Sequence, residues 1–111
     1  MAAAYVLRNS PGNRYHWYLR AGNNEKILTS ETYNSKAGAK NGIQSCRTNS
    51  PLDSRYDKRV AQNGQFYFVL KAGNGEIIGT SERYTTQAGR DGGIASCKVN
   101  GPNAPLDDQA T

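Results

Sequence analysis

The chain has few of the residues from which metal sites and disulfide scaffolds are built. Among its 111 residues there are one histidine, His16, and two cysteines, Cys46 and Cys97. Two cysteines are too few for a disulfide framework. A three- or four-ligand zinc site would need more ligands than one histidine and two distant cysteines supply. We therefore expect no metal and no other cofactor.

Long apolar runs are also missing. No segment approaches the roughly 20 apolar residues that cross a bilayer as a helix. Met1 to Ala4 is followed at once by a strand-like stretch that contains Arg8, so the apolar core of a signal peptide is absent. These features predict a cytoplasmic protein that does not bind a membrane.

The supply of apolar residues, 36% of the chain with 12 glycines, is enough for a thin core only. A sheet covered by helices on one face fits this supply, because its other face can remain in water. The net charge is +5. Its basic residues are scattered, which is typical of solubilising charge, although a basic surface is also suited to an anionic partner.

An internal repeat dominates the sequence. When residues 15–51 are aligned with residues 66–102 at a constant offset of 51, 18 of the 37 positions are identical. The same offset pairs Tyr5 with Tyr56. This indicates a duplication with repeat units at 4–51 and 55–102, and the two copies should share one structure.

Each unit is predicted to contain three strands and then a helix. In unit one the strands are expected near Ala4–Arg8, Arg14–Ala21 and Lys26–Ser30, because turn signals separate them and apolar residues alternate. Ser35 and its counterpart Thr86 are suited to cap the helices. The link 52–54 is too short for a tether, so residues 1–111 are expected to form a single domain. Residues 103–111 are expected to be a disordered acidic tail.

The motifs of both units resemble those of the YegP-like family. The shared pattern is Leu-(Lys/Arg)-Ala-x-Asn-Gly, then Ile-x-x-Ser-Glu-x-Tyr, then Gly-Ile-x-Ser-x-(Lys/Arg)-x-Asn. Unit one has it over 19–24, 27–33 and 42–49, and unit two follows it over 70–75 and 93–100. The chain departs from the pattern at Asn24, in place of the turn glycine, and has Cys46 and Cys97 where a small apolar residue is expected.

The resemblance implies an α+β fold. In it, two tandem β-β-β-α units share one antiparallel sheet, strands are exchanged between the halves, and the helices lie together on one face. It implies a monomer in which the two units are related by internal pseudo-twofold symmetry. It also implies that relatives with a single unit would dimerise to form the same structure. It implies no activity, because none is established for the family.

Three groups of residues have a functional and a structural interpretation. Cys46 and Cys97 are either a redox pair or two small buried residues, and we favour burial. The repeated Ser-Glu-x-Tyr motif invites an enzyme hypothesis, but no histidine serves both copies, so we favour a structural motif at the strand-to-helix junction. Its members are Ser30, Glu31, Tyr33, Ser81, Glu82 and Tyr84.

The third group lies on the face of the central strands that does not carry Trp17 and Phe68. It consists of His16, Tyr18, Arg20, Tyr67 and Lys71. Aromatic rings beside cations on an open sheet can stack on bases and contact phosphates. The alternative is that these residues form cross-strand pairs that only stabilise the sheet.

The sequence does not determine the biochemical function. We favour a non-catalytic binding or interaction module, because no catalytic constellation is visible. The alternative is a nucleic-acid binder that uses the open basic and aromatic face, and an enzyme is the least favoured of the three. A protein or a single-stranded nucleic acid is therefore the expected kind of partner.

Overall fold

Seven strands and two α-helices form the molecule in the computed structural model, which describes residues 2–111. This α+β content confirms the predicted fold class. A 3-10 turn (Asp53–Arg55) links the two units. The elements are β1 (Ala4–Ser10), β2 (Arg14–Arg20), β3 (Lys26–Ser30), α1 (Lys36–Asn49), β4 (Tyr56–Val60), β5 (Phe66–Lys71), β6 (Ile77–Ser81), α2 (Gln87–Asn100) and β7 (Leu106–Asp108).

All seven strands belong to one sheet, in the order β4-β5-β6-β3-β2-β1-β7. The units meet at the antiparallel pair of β3 and β6, where Thr29 lies opposite Thr80. The expectation that strands are exchanged between the halves is wrong, because each unit keeps its three strands together. Short hairpins connect these strands, and neighbours in sequence therefore become neighbours in the sheet.

The C-terminal segment is a further correction. Residues 103–111 are not a disordered tail, since β7 pairs with β1 in parallel and makes the sheet mixed. The Tyr5 amide donates to the Pro105 carbonyl at 2.8 Å, and the Gln109 amide donates to the Leu7 carbonyl at 2.9 Å. Lys36 also forms an ion pair with Asp108 at 2.9 Å. The acidic residues of this segment had suggested a solvent-exposed tail, but their carboxylates lie beside basic side chains of unit one.

Both helices begin at the predicted caps. The Ser35 hydroxyl accepts a hydrogen bond from the Gly38 amide at 3.0 Å, and the Thr86 hydroxyl accepts one from the Gly89 amide at 3.0 Å. Each hydroxyl satisfies one of the amides that have no partner within the helix.

The core lies between the helices and one face of the sheet. Trp17 and Leu19 of β2 and Phe68 and Leu70 of β5 are fully buried. They pack with helix residues of both units, Ala39, Ile43, Cys46, Ile94 and Cys97. Both helices therefore lie on this face, as predicted. Among the described residues, neither helix is long and apolar enough to cross a membrane.

The two copies differ at two crowded places near the pseudo-twofold axis, where equivalent residues meet. Leu28 and Gly79 are related by the offset of 51, and a Cβ atom on Gly79 would lie 2.9 Å from Leu28 Cγ. Ser50 and Gly101 are related in the same way, and a Cβ atom on Gly101 would lie 2.6 Å from Ser50 Cβ. Two copies of one side chain would collide on the axis, so one partner in each pair is glycine.

Candidate functional site

The face of the sheet opposite the helices is the candidate site, and we call it the open face. Register fixes its composition, since cross-strand partners point to the same side. One row across the sheet contains Asp107, Val6, Tyr18, Thr29, Thr80, Val69 and Asp57. Alternation along β2 and β5 adds the other predicted residues, His16, Arg20, Tyr67 and Lys71.

The unit-one part of the open face is internally bonded. The Lys26 ammonium lies 4.6 Å from the centre of the Tyr18 ring, which is a cation–π contact. Arg20 donates to the Ala2 carbonyl at 2.9 Å and lies 4.0 Å from the Asp107 carboxylate of β7. The Tyr18 ring and the Arg20 guanidinium therefore already have partners within the chain.

His16 lies on the same strand, two residues before Tyr18. Its Nδ1 atom is 2.5 Å from the Ser10 hydroxyl. Partial burial, together with the charges of Arg8 and Lys26, lowers the pKa of His16 below its usual value. The ring is therefore neutral at pH 7 and adds no positive charge to the face.

The unit-two part has the same construction. The Arg83 guanidinium lies 4.1 Å from the centre of the Tyr67 ring. Asp57 forms ion pairs with Arg59 at 3.0 Å and with Lys71 at 3.4 Å. The bond from Arg59, and then that from Lys71, holds the pKa of Asp57 below its usual value.

Tyr18 and Tyr67 do not lie side by side. Their strands, β2 and β5, are separated by β3 and β6, and three strand spacings amount to about 14 Å. The open face therefore carries two similar ring-and-cation clusters, one in each unit. Val6 and Val69 are almost fully buried on this face.

Positive charge is concentrated on the open face. Its two carboxylates are those of Asp57 and Asp107. Among the described residues its seven basic side chains are Arg8, Arg14, Arg20, Lys26, Arg59, Lys71 and Arg83. Most of the net charge of +5 thus belongs to this side of the molecule.

The serines of the Ser-Glu-x-Tyr motif bond to the backbone. Ser30 Oγ accepts from the Trp17 amide at 2.9 Å and donates to the Glu31 carbonyl at 2.7 Å. Ser81 Oγ makes the equivalent bonds, to the Phe68 amide at 2.9 Å and the Glu82 carbonyl at 2.8 Å. These hydroxyls replace ladder bonds where β3 and β6 leave the sheet. The Glu31 and Glu82 side chains are exposed.

The tyrosines of the motif pack against the helices. Tyr33 pairs with Tyr15 and Tyr84 pairs with Phe66 through backbone hydrogen bonds of 2.7–2.9 Å. Each ring then lies over a helix glycine, and a Cβ atom on Gly42 would overlap the Tyr33 hydroxyl. Burial raises the pKa of both Tyr33 and Tyr84 above its usual value. The rings fix the distance between helix and sheet.

The chain matches the model of "Domain of unknown function (DUF1508)" twice, at residues 11–57 and 61–108. It is 52% identical to the UPF0339 protein YegP of Escherichia coli O6:H1 over 97% of this chain and 98% of that protein. It is 51% identical to a UPF0339 protein of Bordetella pertussis, over 98% and 97% of the two chains. The chain belongs to the DUF1508 family.

Solved structures of DUF1508 relatives have the same fold. The solution structure of YegP from E. coli, titled a protein of unknown function, is 49% identical and matches with a TM-score of 0.92 over 99% of this chain and 95% of that one. The solution structure of a UPF0339 protein from Shewanella oneidensis is 48% identical and also has a TM-score of 0.92, over 99% and 93% of the two chains. These relatives have no defined function, so no site residue can be transferred from them.

Two tyrosines of this DUF1508 protein were missed as structural residues. Tyr5 donates from its hydroxyl to the Gly101 carbonyl at 2.6 Å, and Tyr56 donates to the Ser50 carbonyl at 2.5 Å. β1 of unit one thus anchors the end of α2, and β4 of unit two anchors the end of α1. The only signal in the sequence was that the offset of 51 pairs them.

The two cysteines lie one turn before these helix ends, and both are fully buried. The neighbouring Cys97 thiol, and then burial, raises the pKa of Cys46 well above its usual value. A thiol in this environment is protonated at neutral pH and is a poor nucleophile. Among residues 2–111, no cluster of three metal-ligating side chains is found.

Proposed function

We propose that this protein is a non-catalytic binding module and that the open face is its binding surface. The observation that supports this most is the distribution of charge, since seven basic side chains and two carboxylates share a face that no helix covers. A surface of this kind attracts an anionic macromolecule. The cytoplasm is the compartment that we infer for this activity.

The non-catalytic part of the proposal is supported by the motif that had suggested an enzyme. The Ser30 and Ser81 hydroxyls are held by two backbone groups each. His16, the one histidine, bonds to Ser10 near the end of β2 rather than to either serine. A nucleophile needs a base within hydrogen-bond reach, and neither serine has one.

Single-stranded nucleic acid is the second candidate partner. The observation that favours it is the pair of ring-and-cation clusters, Tyr18 with Lys26 and Tyr67 with Arg83. A base that stacks on such a ring contributes about 1–3 kcal/mol, and each cation adds a salt-dependent contact to the backbone. A base would have to displace the cation that now lies against each ring.

The binding surface can be tested with two matched charge reversals. Lys26→Glu alters the open face, whereas Lys40→Glu makes the same change in net charge at an exposed position on α1. Capture of anionic proteins or nucleic acids from a lysate, with and without nuclease, should be lost for Lys26→Glu and retained for Lys40→Glu. Equal capture by both variants would contradict the assignment of the face.

Nucleic-acid binding has its own signature. Anisotropy of a labelled single-stranded oligonucleotide should show binding that weakens with salt, and Lys26→Ala with Arg83→Ala should reduce the salt slope by about 0.7 for each phosphate that is no longer neutralised. Tyr18→Ala with Tyr67→Ala should weaken binding at every salt concentration. Absence of binding at low salt would eliminate this candidate and leave an acidic protein as the partner.

A further inference from the structure

The C-terminal segment shows how this fold binds an extended peptide. It leaves α2, places Ala104 in the core with 5% of its surface exposed, and then pairs with β1 as β7. The Arg47 guanidinium donates to the Ala104 carbonyl at 2.9 Å. Leu106, which is 39% exposed, then lies on the helix side of β7 and lines a cavity with Lys40, Asn41, Ile43, Gln44 and Arg47 of α1. The α1–β1 groove therefore holds a strand with an apolar side chain directed at the helix.

Unit two has the equivalent groove without a strand in it. A cavity of about 380 Å³ lies between α2 and β4 and is lined by Asp53, Tyr56, Lys58, Asp91, Ile94, Ala95 and Lys98. Four of these residues, Asp91, Ile94, Ala95 and Lys98, are the counterparts, at the offset of 51, of four residues that line one cavity with Leu106. Tyr56 and Lys58 correspond to Tyr5 and Leu7, which are the β1 partners of Leu106 and Asp108.

The backbone of β4 is available beside this cavity. β4 is an edge strand, with β5 on one side and no strand on the other. The Tyr56 amide is bonded to the Asp53 carbonyl, which takes the place that Pro105 has at β1. The Tyr56 carbonyl and the Lys58 amide follow on the outward edge, and then the Lys58 carbonyl, which is the counterpart of the Leu7 carbonyl that accepts from Gln109. Val60, at the end of the edge, is 60% exposed.

We propose that the α2–β4 groove binds an extended peptide of a partner protein, added parallel to β4, with an apolar side chain followed two residues later by a carboxylate. The apolar side chain takes the place that Leu106 has in unit one and packs on Ile94 and Ala95. The carboxylate takes the place of Asp108 and lies beside Lys58. Edge-strand addition of this kind obtains affinity from backbone hydrogen bonds and specificity from alternate side chains.

The groove is lined by two lysines and two aspartates, which are paired as Lys58 with Asp91 and Lys98 with Asp53. Lys58 forms an ion pair with Asp91 at 3.3 Å across the mouth of the cavity, and both side chains are about half exposed. An exposed pair of this kind contributes little to stability. A peptide carboxylate can therefore compete for Lys58. The charge of Lys58 also disfavours pairing of an uncharged strand with the edge of β4, and this limits aggregation.

The test uses the full chain and a synthetic peptide that copies residues 101–111. In NMR titrations, the peptide should shift the backbone amides of β4 and α2 and slow hydrogen exchange at Lys58 and Val60. Replacement of the peptide leucine that copies Leu106 by aspartate should weaken binding about tenfold or more, the loss expected when an anchoring side chain is removed.

A matched pair of protein variants locates the site. Ala95→Lys places a long side chain in the cavity at an exposed helix position, and Ala88→Lys makes the same change at an exposed position of α2 that does not line the cavity. Ala95→Lys should weaken peptide binding about tenfold, while Ala88→Lys should leave it unchanged. The folding of each variant is verified from its amide spectrum.

Three results would overturn the proposal. The first is that no amide shifts at millimolar peptide. The second is that shifts are confined to β1, which would mean that the peptide only replaces the chain's own tail. The third is that β4 shifts appear in the protein alone as its concentration rises and vanish when residues 103–111 are deleted. That result would assign the groove to a second copy of the chain. None of these results bears on the open face, whose assignment is tested separately by Lys26→Glu.

Discussion

Gly42 lies inside α1, where alanine would normally be more stable by about 1 kcal/mol. The structure gives the reason for glycine, because a Cβ atom would overlap the Tyr33 hydroxyl and approach Trp17 Nε1 at 3.1 Å. The backbone of the helix can therefore approach the tyrosine ring closely. Gly92 in α2 is different, since a Cβ atom there would contact nothing within 4 Å.

These two glycines give the first prediction. Gly42→Ala should lower the free energy of unfolding by about 1–3 kcal/mol, because overpacking outweighs the gain in helix propensity. Gly92→Ala should raise it by about 1 kcal/mol. Urea denaturation of both variants measures the difference. Equal effects would show that the contact between Tyr33 and Gly42 does not constrain the helix.

A second prediction concerns Trp17, which is fully buried and makes an edge-to-face contact with Tyr5 at 5.4 Å between ring centres. Trp17→Ala should cost about 3–5 kcal/mol, because the cavity can be refilled only in part. Tyr18→Ala is the control on the same strand, and it should cost about 1 kcal/mol or less because Tyr18 lies on the open face. Thermal or urea unfolding that ranks Tyr18 above Trp17 would reverse the assignment of the two faces.

At the scale of elements, β7 is the strand whose attachment depends most on charge. The ion pair with Lys36, and then the Ala110 amide, holds the pKa of Asp108 below its usual value. The carboxylate is therefore favoured when the segment is docked. Its contribution is complete above the usual pKa of aspartate, near 4, and is lost as the pH falls through the lowered pKa of the docked state.

The third prediction is that acid releases β7 before it unfolds the sheet. Below about pH 4, the protection of the Gln109 amide against hydrogen exchange, relative to an unfolded chain at the same pH, should fall, while the Phe68 amide, which bonds to Ser81 in the centre of the sheet, should remain protected. Asp108→Asn should weaken docking at neutral pH and remove most of the pH dependence. Loss of both protections at the same pH would show that β7 and the core unfold as one unit.

At the scale of the whole molecule, pseudo-twofold symmetry imposes a limit on how similar the two copies can be. On the open face Thr29 meets its identical counterpart Thr80, but on the core face of the same strands the space admits only one large side chain. Leu28 is fully buried at this position in unit one, and Gly79 faces it in unit two. The units can therefore share 18 of 37 positions but have to differ here.

A swap across the axis provides the fourth prediction. Leu28→Gly should cost several kcal/mol through the cavity that it leaves, and Gly79→Leu should cost about 1–3 kcal/mol through overpacking. The double variant should be more stable than Leu28→Gly alone, because the new leucine occupies the vacated space. A double-mutant cycle measures this coupling. Additive losses would show that the two positions do not share one space.

Repetition and local signals in the sequence determined most of the elements. Capping residues Ser35 and Thr86 predicted where the two helices begin. The period of two in β2 and β5 predicted the buried face, and the offset of 51 predicted that the three strands of one unit recur in the other. Such features depend on residues close together in the chain, and each was present twice. The same alternation placed His16, Tyr18, Arg20, Tyr67 and Lys71 on the open face.

Tertiary structure alone decided what those side chains contact. Arg20 meets Asp107 from a strand of three residues, which is too short for a periodic pattern and whose acidic sequence indicated disorder. No pattern in the sequence indicates the α2–β4 groove. The groove is recognised because β7 pairs with β1, whereas no strand of the described chain pairs with the outer side of β4. Pairing between segments that are distant in the chain depends on shape and charge in three dimensions. The pseudo-twofold axis likewise becomes visible only when the residues that meet on it, such as Ser50 and Gly101, are brought together.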